Sequence, residues 1–371
     1  MKVLWDILLN RTYTVGIDIG SSILKLVQVL HQKDKDILTY LSMKELPEGV
    51  IEDGQIKDRE KLYENLESLI REAEESIGKI KNVVFTITSS VNKGIFIDRV
   101  EDTISKKEDI TEWVSNIITQ RNYASAEENI TFDYKIIDKE ASPQDDTMRI
   151  KAIVVTIKDS IVHGFVNVLK DLEINPMVMD IEPLAVFNVW YVQKLPEDLN
   201  KAIMIVNIGE VNSEAILVNG GEFITSRTMS AGTGAFIRDL QTNLKISREE
   251  AISILKGDLP DGIDESIADE VVFYNAEEFT GNIDMTLRHF NNEILKKETN
   301  VQKIVLTGGG ATIFKFDKFV ERRLKIPTHI LNPFNSIEID EDLEIDTEGL
   351  KQILPLFTTV IGLGLRRIEE V

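Results

Sequence analysis

The chain of 371 residues contains no cysteine, and this absence removes whole classes of chemistry. Disulfides, thiolate metal sites, iron–sulfur clusters and cysteine nucleophiles are excluded. Only 4 histidines are present, and they are scattered singly, without the spacing of a zinc site, at His31, His163, His289 and His329. Nothing in this composition requires an oxidising compartment, so we expect the protein to be cytoplasmic.

Positive charge is also scarce, with 42 Lys and Arg against 63 Asp and Glu, for a net charge of -21. Such a chain repels polyanions, and its sequence has no basic patch, so we expect no nucleic-acid partner. The motifs of serine hydrolases (Gly-x-Ser-x-Gly) and Walker-type motors (GxxxxGK[ST]) are both missing. These enzyme classes are therefore excluded.

Long hydrophobic runs are missing as well. The longest nearly uncharged stretch, residues 353–365, is too short to span a bilayer and predicts a buried helix. We therefore expect no transmembrane segment. Residues 1–12 are apolar at both ends, but Asp6 and the lack of a small-residue cleavage site argue against a signal peptide. A short lead-in that packs on the protein or touches a membrane remains open.

Strand and helix patterns alternate along the whole chain. Val- and Ile-rich runs predict strands buried on both faces, at residues 13–19, 83–88, 150–157, 202–208 and 303–307. Between them, Ser105 with Glu108, and Ser247 with Glu250, match the capping box that opens a helix. We expect the second of these helices to end near Lys256. The pattern predicts an α/β protein with several layers.

Two segments of the chain resemble each other. Residues 15–20 and residues 205–209 both end a strand at Ile-Gly and continue into a second β-rich segment. Repeated units of this kind predict two related halves that face each other across a cleft. A ligand would bind in that cleft.

The turn of the first repeat has the parts of a phosphate site. Gly20 permits a close backbone approach, Ser21 and Ser22 supply hydroxyl groups, and Lys25 supplies a cation. Asp18 could hold a hydrated Mg²⁺. A tight hairpin with a solvated Lys25 is the open alternative.

Three further turns carry the same kind of signal more weakly. The second repeat brings Asn207 and Gly209 but no charge on its first residue. Gly308, Gly309 and Gly310 follow an apolar strand and would let the backbone lie against a ring or phosphate. Residues 230–234, around Gly232, predict either a helix-terminal anion site or a simple cap.

Taken in order, these elements resemble the actin-like ATPase superfamily. Residues 18–25 resemble its phosphate-1 loop, residues 182–185 its connect-1 helix, residues 207–213 its phosphate-2 loop and residues 308–310 its adenosine motif. Within it, the chain is similar to the PilM family of type IV pilus assembly proteins, which are relatives of FtsA. The segments that carry this resemblance are GIDIGSSILKLVQV, LPEGVIEDGQIKD, MDIEPLAVFN, IVLTGGGA and VIGLGLRR.

The resemblance implies the actin-like ATPase fold, with two RNase H-like halves around a nucleotide cleft and an FtsA-type 1C insertion. The implied subdomains are 1A at 13–90 and 176–195, 1C at 91–175, 2A at 196–231 and 301–371, and 2B at 232–300. Residues 91–175 independently contain strand and amphipathic-helix patterns sufficient for a small unit with its own core. The acidic run at residues 338–348 predicts a solvated loop.

The resemblance also implies a site for ATP or ADP with Mg²⁺, the ion being held by Asp18 through water. Glu182 takes the position that orients the attacking water. The implied nucleotide-binding residues are Asp18, Gly20, Ser21, Ser22, Lys25, Asn207, Gly209, Gly232, Lys256, Gly308, Gly309 and Gly310.

Three positions depart from the superfamily pattern. Asn207 stands where Asp is common, Ala231 where a paired glycine is common, and Ile252 where a glutamate contacts ribose. A single carboxylate at Glu182 is a poor arrangement for fast phosphoryl transfer. We expect slow or no hydrolysis, and whether ATP binds at all is left open by the sequence.

The function implied by the resemblance is a cytoplasmic scaffold of the pilus inner-membrane platform, with a role in twitching motility. Its implied partner is the cytoplasmic N-terminal tail of a PilN-like inner-membrane protein, with pilus motor or platform proteins as further candidates. The alternatives are an FtsA-like or GspL-like structural element and a slow ATPase that drives a conformational cycle. FtsA usually ends in a membrane-binding helix, which residues 366–371 do not resemble.

Overall fold

The computed structural model describes residues 12–52, 54–87, 95–121, 129–343 and 353–367. Its strands are β1 (Thr12–Ile19), β2 (Ile23–His31), β3 (Asp36–Glu45), β4 (Ile51–Glu52), β5 (Gln55–Ile56), β6 (Asn82–Ile87), β7 (Ile95–Ser105), β8 (Ile130–Ala141), β9 (Thr147–Lys158), β10 (Asn175–Met179), β11 (Ala202–Ile208), β12 (Ser213–Asn219), β13 (Glu222–Met229), β14 (Val301–Thr307), β15 (Thr328–Ile330) and β16 (Glu338–Ile339). Its helices are α1 (Arg59–Ile77), α2 (Ile110–Arg121), α3 (Asp159–Asp171), α4 (Glu182–Gln193), α5 (Thr233–Leu244), α6 (Arg248–Lys256), α7 (Glu265–His289), α8 (Phe316–Leu324) and α9 (Thr358–Gly364). Within these ranges, no helix combines the length and apolar composition that a membrane crossing requires.

The first sheet has the strand order β10-β6-β1-β2-β3-β16. β1 and β2 form an antiparallel hairpin, and β6 runs parallel to β1. The last six residues of β1 are all buried, as the continuous apolar run predicts for a strand covered on both faces. Helices α1 and α3 contribute side chains such as Leu66 and Phe165 to the core beside this sheet.

The second sheet repeats the first. Its order is β13-β12-β11-β14-β15, with β11 and β12 antiparallel and β14 parallel to β11. Strands β11, β12, β13, β14 and β15 therefore correspond to β1, β2, β3, β6 and β10. The predicted repeat of two related halves is confirmed, together with the α/β class and the RNase H-like topology of each half.

A third sheet, of order β7-β9-β8, carries α2 on a separate core that includes Trp113 and Ile150. The capping box predicted at Ser105 is wrong, because β7 continues through Ser105 in register with Thr147 of β9. Helix α2 begins later, and the Asp109 carboxylate accepts a hydrogen bond from the backbone N–H of Glu112 at 3.0 Å. Ser105, which the local pattern assigns to a helix cap, is thus part of a paired strand instead.

Helices α4 and α9 lie between the two large sheets. Their apolar side chains share one core with residues of both halves, among them Val27 of β2, Val186 of α4, Ile216 of β12 and Val360 of α9. The buried helix predicted at residues 353–365 is confirmed as a 3-10 turn (Leu354–Phe357) followed by α9. The two halves are therefore joined by a common hydrophobic layer.

The subdomain boundaries inferred from the resemblance stay predictions, but some contacts bear on them. Helix α3, at the end of the segment assigned to 1C, packs in the core of the first sheet. Helix α9 packs on β1 and β2, and β16 pairs with β3. Only residues 338–343 of the acidic run lie in the described part, and Glu338 and Ile339 of this run form β16 rather than a loop.

Candidate functional site

The first hairpin holds a buried ion pair. Asp18 is the next-to-last residue of β1, and Lys25 lies directly across from it on β2. The Lys25 ammonium group donates to Asp18 Oδ2 at 2.7 Å, and both side chains are about nine-tenths buried. The alternative of a solvated Lys25 is therefore wrong. Asp18 binds the Lys25 ammonium group next to the turn that residues 20–22 form.

The second hairpin places Asn207 at the position equivalent to Asp18. The Asn207 side-chain N–H donates to Glu182 Oε1 at the N-terminus of α4. Since α4 follows β10 of the first sheet, this bond links the two halves. The structure thus brings together two residues that are 25 positions apart in the sequence.

Glu214 is a site residue that the sequence did not reveal. It lies directly across from Asn207 on β12, as Lys25 lies across from Asp18 on β2. Its carboxylate accepts from the Thr228 hydroxyl at 2.8 Å. Burial and, to a smaller extent, the nearby charge of Glu182 raise the pKa of Glu214 to about 8. Glu214 is therefore mostly protonated at neutral pH, which removes one negative charge from this centre.

Each hairpin turn needs glycine for the same steric reason. A Cβ at Gly20 would lie 2.6 Å from the carbonyl oxygen of Ile23, and one at Gly209 would lie 2.5 Å from that of Asn212. The two turns therefore have the same close backbone packing, which agrees with their proposed equivalence.

The third glycine loop packs against the second hairpin. Gly308 has a φ of 79°, and a Cβ there would lie 2.5 Å from Asn207 Oδ1. A Cβ at Gly310 would lie 2.1 Å from Ile208 Cγ2. Gly309 differs, because a Cβ there would come no closer than 3.4 Å to Leu356 and 4.0 Å to the carbonyl oxygen of Ile208. Gly308 and Gly310 are thus required by packing, whereas position 309 could carry a Cβ without a steric clash.

The turn before α5 acts as a backbone cap. The N–H of Thr233 donates to the Gly209 carbonyl at 3.0 Å, and that of Gly234 to the Glu210 carbonyl at 2.9 Å. Two of the amides that could have bound an anion are therefore already used by the second hairpin. Of the two alternatives for residues 230–234, the contacts favour the cap.

Helix α6 lies beside the second hairpin. Its predicted capping box at Ser247 and Glu250 is confirmed, and it ends at Lys256 as expected. Arg248 Nη2 donates to Glu210 Oε2 at 2.7 Å, which raises the pKa of the Arg248 guanidinium. Ile252, which stands where the superfamily has a ribose-contacting glutamate, packs against the core of the second half.

The donor groups fit a hydrated magnesium ion better than a closed protein cage. No cluster of three or more metal-ligating side chains occurs within residues 12–52, 54–87, 95–121, 129–343 and 353–367. Asp18 supplies one buried carboxylate beside a glycine turn. Mg²⁺ commonly binds through one or two carboxylates together with water and phosphate oxygens. The residues present therefore suit an ion that arrives with a phosphate ligand.

Comparison with solved structures supports the fold. The "PilM-PilN type IV pilus biogenesis complex" has a TM-score of 0.78 and 18% identity over 96% of this chain and 99% of that chain. The ethanolamine utilization protein EutJ from Carboxydothermus hydrogenoformans has a TM-score of 0.54 and 15% identity over 95% and 89%. MreB5 of Spiroplasma citri, solved bound to ADP, has a TM-score of 0.46 and 12% identity over 94% of each chain. The likeness to the first two structures, both with a TM-score above 0.5, confirms the actin-like ATPase fold implied by the motifs.

The sequence comparison identifies the family. The family described as "Type IV pilus assembly protein PilM" matches residues 16–368, nearly the whole chain. The matched range includes both hairpin turns, the third glycine loop and α9. The chain therefore belongs to the PilM family of type IV pilus assembly proteins.

Proposed function

We propose that this protein is an actin-like, nucleotide-binding scaffold of the type IV pilus inner-membrane platform. The family match over residues 16–368 carries the proposal. In this role the protein is cytoplasmic and reaches the membrane through an anchored partner. A role in twitching motility stays a prediction from the resemblance alone.

The partner proposed is the N-terminal cytoplasmic tail of a PilN-like protein. One of the similar solved structures described above is a PilM–PilN complex, and this motivates the choice of partner. The expected groove lies between the first sheet and the three-stranded sheet. Ile97 and Val155 of the latter pack against the first-sheet core, so the two surfaces meet there. An extended tail in such a groove gains main-chain hydrogen bonds and side-chain pockets together.

Titration with a synthetic PilN-type tail tests the recruitment role. We expect binding by fluorescence anisotropy, with slower hydrogen exchange in β7, β9 and α1. Deleting residues 91–175 is unsuitable as a control, because it removes α3 and its core residue Phe165. A tail of the same composition in scrambled order is the better control. Failure to bind both with and without Mg-ATP would refute recruitment, while protection elsewhere would refute the groove assignment alone.

The nucleotide proposed is ATP or ADP with Mg²⁺, bound between the hairpin turns and the third glycine loop. Gly20, Ser21, Ser22 and Lys25 would contact phosphates, with the adenosine beside Gly309. Lys25 is already oriented by Asp18, so it could neutralise phosphate charge. When bound, Mg²⁺ would supply further charge neutralisation. Slow or absent hydrolysis fits a Glu182 carboxylate that accepts a hydrogen bond from Asn207.

Gly309→Trp tests the nucleotide site. The structure selects Gly309 because substitution at Gly308 or Gly310 would disturb packing against Asn207 and Ile208. We expect calorimetry with Mg-ATP to show at least a tenfold loss of affinity. Gly309→Ala is the matched control and should retain most of it. Equal affinity in the Trp variant and the native protein, with both folded by circular dichroism, would place the nucleotide elsewhere.

A further inference from the structure

A groove of about 510 Å³ lies beside β13, separate from the glycine loops. One wall is the consecutive run of residues 225–230 at the end of β13. The other wall is the last part of α7, through Asn282, Met285, Thr286 and His289, together with Phe290 directly after it. The groove therefore follows a strand on one side and a helix on the other.

The strand that forms this wall is at the edge of its sheet. β13 pairs with β12, and the ladders of the described ranges place no strand on its other side. An edge strand presents backbone N–H and C=O groups that can pair with an additional chain. The third sheet contacts the start of β13, where Arg99 Nη2 donates to Glu222 Oε2 at 2.7 Å.

The first half shows how the equivalent edge is used. β3 corresponds to β13, and β16 pairs with β3 in parallel, with Glu338 opposite Ile37 and Ile339 opposite Leu38. A short extended segment thus completes the first sheet. The repeat of the fold therefore contains an example of strand addition at the position that β13 occupies in the second half.

The chemistry of the groove favours an acidic segment. Arg227 is exposed and forms no ion pair with any residue of the described ranges. His289 lines the same groove, but burial and the nearby charge of Arg227 lower its pKa, so Arg227 supplies the positive charge of the groove at neutral pH. Hydroxyl side chains from Thr225, Ser226 and Thr286 add polar groups to the lining, beside the apolar Met229, Met285 and Phe290. An exposed arginine in a groove is distinctive on a chain whose net charge is -21.

We propose that β13 accepts an extended acidic peptide of a partner protein, which adds as a strand at residues 225–230 with a carboxylate against Arg227. Main-chain pairing supplies a general affinity, and Arg227 selects peptides that carry a carboxylate. This site differs from the tail groove in both position and charge preference. It also does not depend on nucleotide binding.

Panning of a phage-displayed random heptapeptide library on the immobilised full chain tests the proposal. We expect enriched peptides that share Asp or Glu, bind in fluorescence anisotropy and slow amide hydrogen exchange at residues 225–230. Arg227→Glu should weaken their binding by about tenfold or more, while Arg227→Lys should retain most of it. Arg322→Glu, which reverses the charge of another exposed arginine outside this groove, is the matched control and should have little effect.

Several results would overturn the proposal. These are failure to enrich any peptide, enrichment of peptides that bind Arg227→Glu equally well, or binding without slower exchange at residues 225–230. Protection of those amides by inorganic phosphate alone would identify a small-anion site instead. Self-association of the chain that competes with every selected peptide would identify a second copy as the occupant.

Discussion

At the scale of single residues, the equivalence of the two hairpins explains the chemistry of the site. Asp18 and Lys25 form a buried ion pair, whereas Asn207 and Glu214 occupy the same two positions in the second half. The first pair neutralises itself by opposite charge. The second remains nearly neutral because Asn207 carries no charge and the pKa of Glu214 is about 8. Each of the two arrangements, the ion pair and the nearly neutral pair, allows polar groups to be buried at the base of a cleft.

Glu214→Gln should make stability less dependent on pH. The folded-state pKa of Glu214, about 8, lies above its ordinary value of 4.5, so the folded state retains a proton that the unfolded state releases. Stability from this group is therefore complete below pH 4.5 and declines until pH rises past 8. The amide cannot ionise, and we expect Glu214→Gln to gain about 3 kcal/mol relative to the native protein between pH 5 and pH 8.

Urea unfolding at several pH values measures this effect. Glu270→Gln, at an exposed glutamate on α7, is the matched control and should follow the native pH profile. Parallel profiles for Glu214→Gln and the native protein would show that Glu214 titrates normally. That outcome would also remove the explanation for its burial beside Glu182.

At the scale of elements, α4 and α9 are held together by a close backbone approach. A Cβ at Gly362 of α9 would lie 2.0 Å from the carbonyl oxygen of Ala185 in α4. Glycine here lets the two helices pack within the hydrophobic layer that both halves share. By contrast, a Cβ at Gly281 of α7 would meet no atom within 4 Å.

Gly362→Ala and Gly281→Ala should therefore change stability in opposite directions. We expect Gly362→Ala to lower the free energy of unfolding by about 3 kcal/mol or more, since the added methyl group meets backbone. Gly281→Ala should raise it by about 0.5–1 kcal/mol through helix propensity. Chemical denaturation of both variants measures the difference. Similar stability in the two would mean that α9 does not pack on α4 as described.

At the scale of the whole molecule, one apolar layer and one sign of charge dominate. The shared core joins the two halves, while the charge of -21 gives the surface an overall attraction for basic partners. The tail titration proposed above can test this attraction directly. If the tail carries Lys or Arg, its affinity should fall as the salt concentration rises from about 50 to about 500 mM, because screening weakens the attraction between opposite charges. Salt-independent binding would show that main-chain pairing dominates.

Much of the fold was predictable because its signals are local. Apolar runs identified β1, β6, β11 and β14, and the capping box at Ser247 located the start of α6. The failure at Ser105 has a physical cause: the pairing of β7 with β9 outweighs the tendency of a local capping pattern. The regular spacing of seven residues between Asp18 and Lys25, and between Asn207 and Glu214, was a signal for Glu214 that the sequence analysis missed.

The sequence by itself determined the α/β class, the internal repeat, the glycine turns and the family, because each depends on neighbours a few residues apart or on motifs in order. Only the tertiary structure decided that Asn207 meets Glu182, that Glu214 is buried beside them, and that β13 has an open edge beside a groove that contains Arg227. These features arise from strand register and from packing between distant segments. Burial and partner charge set the protonation state of a side chain, and neither can be read from its position in the sequence.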